Sequence, residues 1–421
     1  MRSFRLVVAA VALALALVVL VVAVAWRPHG AGPTFGALGA MAIAMLGGAA
    51  LPGDVLEALE AQWKAYVTLT SIMAMTSAAE RMGLLDRLAS LIEPRTRGPV
   101  KHAFRWTFVA SALVAAVLSN DAAILLMTPT VLALLRTVYP KRHPKFVVPF
   151  VVAVFASAGV APFVISNPMN LIFADHVGIG FNTYSVTMIP IAIAGWLVAY
   201  AVLAFVFREA LSDQSPALGA WPVQPPLQRG ATWVLATVLT VLVSYPVMSY
   251  LDVELWPIAA VGGAICVAVS LQAGHSLRQL AGGIAWPIFP FLVGVFVLAT
   301  ALDRVGVVDW LTGLYQNDAP LATIGVTSAL GSALLNNHPM SVLNAIALDR
   351  IGGGDSHAFA ALIGGDLGPR LLPIGSLASL LWYDLLRKHG VAVSVAMFIR
   401  VGVLLTIPTL AVSLALLWLI R

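Results

Sequence analysis

"SALVAAVLSNDAAILLMTP", residues Ser111–Pro129, is apolar at both ends and polar at its centre. Ser119, Asn120 and Asp121 interrupt a run that otherwise reads as lipid-soluble. A second stretch, "SALGSALLNNHPMSVLNAIAL" from Ser328 to Leu348, places Asn336, Asn337 and His338 in the same central position. In a continuous helix such a triplet serves helix packing alone. In a chain that turns back within the membrane it has a stronger reason. Irregular backbone at that depth is tolerated only where it is buried in protein or lines a polar cavity. The apolar arms are about fifteen residues each, too short to cross a hydrocarbon core of ~30 Å at ~1.5 Å per residue. The pattern therefore predicts two re-entrant hairpins, over 102–136 and 320–348, with the polar triplets at their tips.

The rest of the chain supplies the membrane. Of its 421 residues 60% are hydrophobic and 10% charged, against about 25% charged in soluble domains, and the mean hydropathy is +0.94. Leu6–Trp26, Thr34–Leu51, Ala65–Ala79, Ser185–Phe207, Thr232–Leu251, Leu255–Ala273, Ile284–Leu302 and Val401–Ile420 read as apolar spans. The fold class is an all-α polytopic membrane protein. The amino-terminal run reads as a span rather than a cleaved leader, because it exceeds the usual ~7–15 residues of a signal core. A single cysteine, Cys266, excludes an intrachain disulfide and a multi-thiolate metal cage. Neither a metal site nor a cofactor is expected.

Polar and glycine matches reveal an internal repeat. "ERMGLLD" (Glu80–Asp86) aligns with "DRVGVVD" (Asp303–Asp309), the two triplet stretches align, and "ISNPMNLIF" from Ile165 aligns with "IGSLASLLW" from Ile374. Residues 1–207 form a first repeat, 208–231 a Pro-rich linker and 232–421 a second repeat. With the hairpins not crossing, each half has an odd number of spans, so the second is inverted, as in many transporters. The basic residues agree. Most, among them Arg81, Arg105, Arg136, Lys141, Arg208, Arg278, Arg387 and Lys388, fall on one side. Lys64, Arg304, Arg350 and Arg421, with Arg2 and Arg5, fall on the other. The positive-inside rule makes the first side cytoplasmic and points both termini outward. The net charge of +5 is thus a topology signal and not a nucleic-acid footprint.

The candidate site follows from the breaks. "IGGDLGPRLLPIGSLAS" (Ile363–Ser379) carries Asp366 and Arg370 among helix breakers, and "SAGVAPFVISNPMN" (Ser157–Asn170) is its counterpart. Two tips and two broken spans at the pseudo-symmetric centre make the expected midplane site. Ser119, Asn120, Asn167, Asn170, Asn336, Asn337, His338, Gly375 and Ser376 are the candidate solute-binding residues, offering donors and acceptors to a small oxygen-rich solute. Asp121, Asp366 and Arg370 are the candidate proton-coupling groups, since intramembrane ionisable residues are functional by default. Asp366 and Arg370, four apart, would form an ion pair if that segment were helical. An intramembrane hydrolase is disfavoured: Ile363 stands where a Gly-x-Gly-Asp motif needs glycine, and there is no HExxH.

The segment "GGDLGPRLLPIGSLASLLWYDLLRKHG" (Gly364–Gly390), together with Ser119–Asp121 plus Thr128-Pro129 and Asn336-Asn337-His338-Pro339, resembles the arsenite/antimonite efflux permeases, the arsenical pump membrane protein family of the ion transporter superfamily. The resemblance implies a scaffold and a transport domain, a homodimer in the inner membrane, an elevator-like shift, and export of arsenite or antimonite against proton influx. It also implies, for some members, a cytoplasmic ATPase partner. Gly365 departs from the family, where a cysteine is expected, which argues against thiol coordination of arsenic. His338 occupies a variable position. A sodium-coupled carboxylate carrier or sodium/proton antiporter of the same superfamily is the alternative. Those often show Ser-Asn-Thr tips, whereas the third positions here are Asp121 and His338.

Overall fold

The computed structural model describes all residues except 1, 27–32, 85, 86, 88, 89, 91–98, 139–145 and 213–226. The middle of the linker and several basic loop residues, Lys141 among them, therefore lie outside the described residues. Regular structure among the described residues is helical. The main helices are α1 (Arg2–Trp26), α2 (Pro33–Leu46), α3 (Pro52–Arg81), α4 (Val100–Val117), α5 (Asn120–Val138), α6 (Val147–Ser157), α7 (Pro168–Val177) and α8 (Phe181–Val206). They continue as α9 (Ala231–Tyr250), α10 (Trp256–Gln272), α11 (Ile288–Arg304), α12 (Val307–Tyr315), α13 (Pro320–Leu335), α14 (Asn337–Arg350), α15 (Asp355–Leu367), α16 (Leu377–Lys388) and α17 (Val395–Ile420).

Among the described residues three of these, α8, α9 and α17, are individually long and apolar enough to cross a membrane. Leu197 and Phe205 on α8 and Leu404 and Ile407 on α17 face outward. That much apolar surface is what lipid, not water, stabilises. Helix α12 was not anticipated from the sequence. It follows α11 after a 77° bend at Gly306, whose φ of 89° suits glycine.

Both polar triplets lie where one helix stops and another starts. Leu118 and Ser119 separate α4 from α5, and Asn336 alone separates α13 from α14. The second pair doubles back. Asn344 Nδ2 on α14 donates to Ser328 Oγ on α13 at 2.9 Å, a contact that sixteen residues of straight helix, ~24 Å long, would forbid. The arms α4 and α5 likewise pack on each other. Each is a helical hairpin. The two interrupted spans are α6–break–α7 and α15–break–α16, with short 3₁₀ turns at Val164–Ser166, Gly368–Arg370 and Pro373–Gly375.

Local chemistry sets these boundaries. Asn167 caps α7 by accepting the Met169 N–H at 3.1 Å, with Pro168 at the first helical position. Gly178, at φ 75°, ends it. Ser376 caps α16 through the Ser379 N–H at 3.1 Å. The apolar interior forms two clusters. One gathers α1–α3, α7, α11, α13–α15 and the start of α8; the other gathers α4–α6, the end of α8, α16 and the start of α17. The broken spans lie where the two clusters meet.

Candidate functional site

Helix α15 carries Asp366 in its last turn and stops at Leu367, where Gly368-Pro369 follows. Gly364 and Gly368, one turn apart, let α15 lie directly on α13. A Cβ at either would collide with the carbonyl oxygen of Gly325 or Ala329. This close approach between small residues, a common device in membrane interiors, fixes the depth at which Asp366 emerges.

The carboxylate of Asp366, 4% exposed, is satisfied entirely from the other half of the chain. Oδ2 accepts the Ala161 N–H at 2.9 Å and Asn170 Nδ2 at 3.0 Å, and Oδ1 accepts Asn167 Nδ2 at 2.7 Å. Tyr184 closes the ring: its hydroxyl accepts from Asn170 Nδ2 at 2.7 Å and donates to the Ala161 carbonyl at 3.2 Å. An ionised carboxylate accepts hydrogen bonds and donates none, and each donor here points at an oxygen.

Arg370, 3% exposed, also turns to the first half, where its Nη2 donates to the carbonyl oxygen of Ala156. Gly159 makes the seat, since a Cβ there would run into Nη2. The ion pair expected from the four-residue spacing does not form. The helix ends one residue after Asp366 and a 3₁₀ turn carries Arg370, so the shared helical face is lost. The Nε and Nη1 of Arg370, Oδ1 of Asn170 and Nε2 of His338 are buried with no hydrogen-bond partner among the described residues.

The structure sorts the other candidates into two groups. Around Asp366 stand Asn167 and Asn170, with Asn120 at the first tip donating to the Gly159 carbonyl at 3.4 Å. Ser166 Oγ ties the same break to the Ala116 carbonyl at 2.6 Å. Ser119 lies in the turn itself, and the side chain of Asp121 lies outside the described ones. At the second tip Asn336 Nδ2 donates to the Ile374 carbonyl at 3.2 Å, immediately before Gly375 and Ser376. His338 Nδ1 faces Asn337 Oδ1 at 3.0 Å. Ser376 is engaged as a helix cap and shares a hydrogen bond with Ser379 Oγ at 2.8 Å. Asn336 adopts φ 89°, ψ 149°, a region nearly reserved for glycine. Each tip thus docks on the broken span of its own half, and Asp366 and Arg370 stitch the two breaks together.

Sequence reasoning missed Tyr184, the Gly159 seat and the backbone N–H of Ala161. For Tyr184 a signal existed: a phenol on an apolar helix must find a partner when buried.

The fold is close to that of the YdaH transporter of Alcanivorax borkumensis, with a TM-score of 0.56 at 14% identity, covering 87% of this chain and 86% of that one. Two hairpins docked on two broken helices, with charges buried where they meet, define a polytopic membrane transporter. The chain belongs to the arsenical pump membrane protein family, whose model matches residues 10–420. It is 29% identical over 411 residues to the arsenical pump membrane protein of Escherichia coli K12, covering 93% of this chain and 94% of that one. It is 28% identical over 406 residues to that of Yersinia enterocolitica, with the same coverage.

Proposed function

We propose that this protein is a secondary active transporter that exports arsenite or antimonite in exchange for protons. Two inverted repeats, 1–207 and 232–421, joined by a cytoplasmic linker at 208–231, would build one midplane site in the inner membrane, with both termini outward. A homodimer fits this reading, and a cytoplasmic ATPase is an additional partner it accommodates.

The observation that carries it is the carboxylate of Asp366, held by three donors that all come from the opposite broken span. Protonation turns an acceptor-only group into one that must also donate. The proton also cancels the charge that strengthens all three bonds. Taking up a proton loosens the junction of the two breaks, and losing it restores the contact, which is how a coupling group shifts a two-state equilibrium. Asp121 at the first tip is the second coupling candidate, and Arg370 fixes the geometry beside Asp366.

The solute fits the remaining groups. Arsenous acid is mostly uncharged near neutrality and presents three hydroxyls. The amides of Asn120, Asn170, Asn336 and Asn337, the ring of His338 and the open donors of Arg370 can bind such oxygens without a fixed charge pair. The test is expression in cells lacking their own arsenite exporter. Resistance should rise and intracellular arsenite fall, without a sodium requirement. Unchanged accumulation with the protein verified in the membrane would reject the substrate. A strict need for sodium would favour the carboxylate-carrier alternative.

A further inference from the structure

Two cavities adjoin along the seam between α7 and α14. The first has a volume of about 160 Å³ and is lined by His176, Ala345, Leu348, Asp349 and Asp355. It lies at the molecular end that also holds the Arg421–Asp355 contact, 3.7 Å, which is the outer end in the topology above. The second, about 20 Å³, lies deeper and is lined by Gln62, Phe173, His176, Phe296, Ser341 and Ala345. His176 and Ala345 line both, so the imidazole stands where the wide part meets the narrow part. On α14 the lining positions 341, 345 and 348 continue the helical stripe that begins at His338, with spacings of three and four that keep one face.

At the deep end Ser341 Oγ donates to the His338 carbonyl at 2.8 Å. The His338 ring is 5% exposed and sits edge-on to Phe291. Its Nδ1 faces Asn337 Oδ1, which places the hydrogen of the neutral ring on Nδ1 and leaves Nε2 as an acceptor. That Nε2 is buried and has no partner among the described residues. Size then separates the ligands. A space of ~20 Å³ holds about one water, and a three-hydroxyl solute does not fit it.

We propose that the α7–α14 seam is the outer proton route of this transporter, with Asp349 and Asp355 at its mouth, His176 at its constriction and Ser341, one turn from His338, at its deep end. It deepens the proton-coupled reading and rests on the topology given there. A proton from outer water moves along water in the wide cavity and past the His176 imidazole, and on toward the second tip, where His338 Nε2 is an open acceptor. The solute takes another path.

The test reads water access directly and needs no solute. In a Cys266→Ser background, Ala345→Cys is treated from the outer side with methanethiosulfonate reagents, one cationic and one anionic. The expected result is modification by both, roughly tenfold faster with the cation because acidic walls concentrate cations. Asp349→Asn with Asp355→Asn should erase that ratio. Leu343→Cys, buried on another face of α14, should stay unreactive. Reaction of Ala345→Cys no faster than Leu343→Cys, or only from the basic side, overturns the proposal. Leu348→Cys reads the same cavity if Ala345→Cys fails to reach the membrane. In transport, His176→Leu should slow proton-driven arsenite movement by roughly tenfold, one decade of rate, while arsenite counterflow without a pH gradient persists. Equal loss of both overturns the role of His176. A protein that labels as expected but moves no arsenite would instead sink the substrate reading alone.

Discussion

Asp54 and Arg304 meet head-on at one end of the molecule, whereas Asp366 and Arg370, only four residues apart, each turn away to the opposite half. At the surface the pairing is fork to fork, Nη1 to Oδ2 and Nη2 to Oδ1, both at 2.6 Å. The Leu51 N–H adds a third bond to the carboxylate at 2.7 Å. Arg304, its side chain 39% exposed, keeps part of its hydration, while Asp54, 4% exposed, exchanges its own for three hydrogen bonds. The guanidinium holds the Asp54 carboxyl below the usual carboxylate range. Around Asp366 and Arg370, both buried, that hydration is gone. A direct pair there would set the desolvation of two charges against one attraction, and in such interiors the penalty can exceed the gain. The broken spans offer what water would: free peptide groups and the amides of Asn167 and Asn170. Charge at the centre is therefore dispersed over backbone and amide dipoles, and what it holds together is the junction of two breaks.

The largest expected effect tests that statement directly. Asp366→Asn replaces an acceptor of three charge-assisted bonds by a group that also donates. A loss of about 3 kcal/mol, or roughly a hundredfold in proton-driven transport by inverted vesicles, is expected. Arg370→Gln in the same chain should not restore transport, because the two groups are not each other's partners. Restoration would revive the direct ion pair and break the comparison.

Next comes the seat. Gly159→Ala should destabilise the protein by about 2 kcal/mol in detergent-based unfolding, because the added methyl displaces a hydrogen-bonded guanidinium. Gly365→Ala should cost less than about 1 kcal/mol, since the atom its Cβ would crowd is the Met169 Cε, at 2.7 Å, the mobile end of a flexible chain. Similar losses at both positions would show that the Gly159 seat is not special.

The second tip gives a smaller, signed difference. Asn336→Gly loses the side-chain bonds but relieves the φ of 89°, whereas Asn336→Ala loses the bonds and keeps the strain. Unfolding should find the alanine variant less stable than the glycine one by about 1 kcal/mol. Equal stabilities would mean the tip relaxes freely.

The smallest effect belongs to the surface pair. Asp54→Asn should cost about 1 kcal/mol or less, because Arg304 is partly exposed and salt screens the pair. A carboxyl depressed in the folded state contributes stability above its unfolded pKa and loses it as pH falls through the folded value. The gap between wild type and Asp54→Asn should therefore be full near neutrality and close progressively below about pH 4. Transport should barely change. A gap that widened in acid would contradict the pairing.

Much of this architecture was legible without coordinates. The polar triplets within apolar runs marked both hairpin turns, because a lipid-exposed chain reversal is not viable. The pairs Gly368-Pro369 and Asn167-Pro168 marked where helices stop and start, whereas Gly364-Gly365 lies within α15. The residues Asn167, Asn170, Asp366 and Arg370 were picked out because buried polar groups in such a chain need a reason.

What the sequence by itself determined is where helices can exist, where they must break and which polar groups are stranded among apolar ones, since those follow from local backbone preferences and the cost of burial. The tertiary structure alone decided which partner each stranded group meets. Asp366 reaches Ala161 across 205 residues, Tyr184 completes its ring of contacts, and Gly159 yields its side-chain space to Arg370. A hydrogen bond is gained or lost within a few tenths of an ångström, and that distance is set by how remote helices pack, which no local pattern of residues encodes.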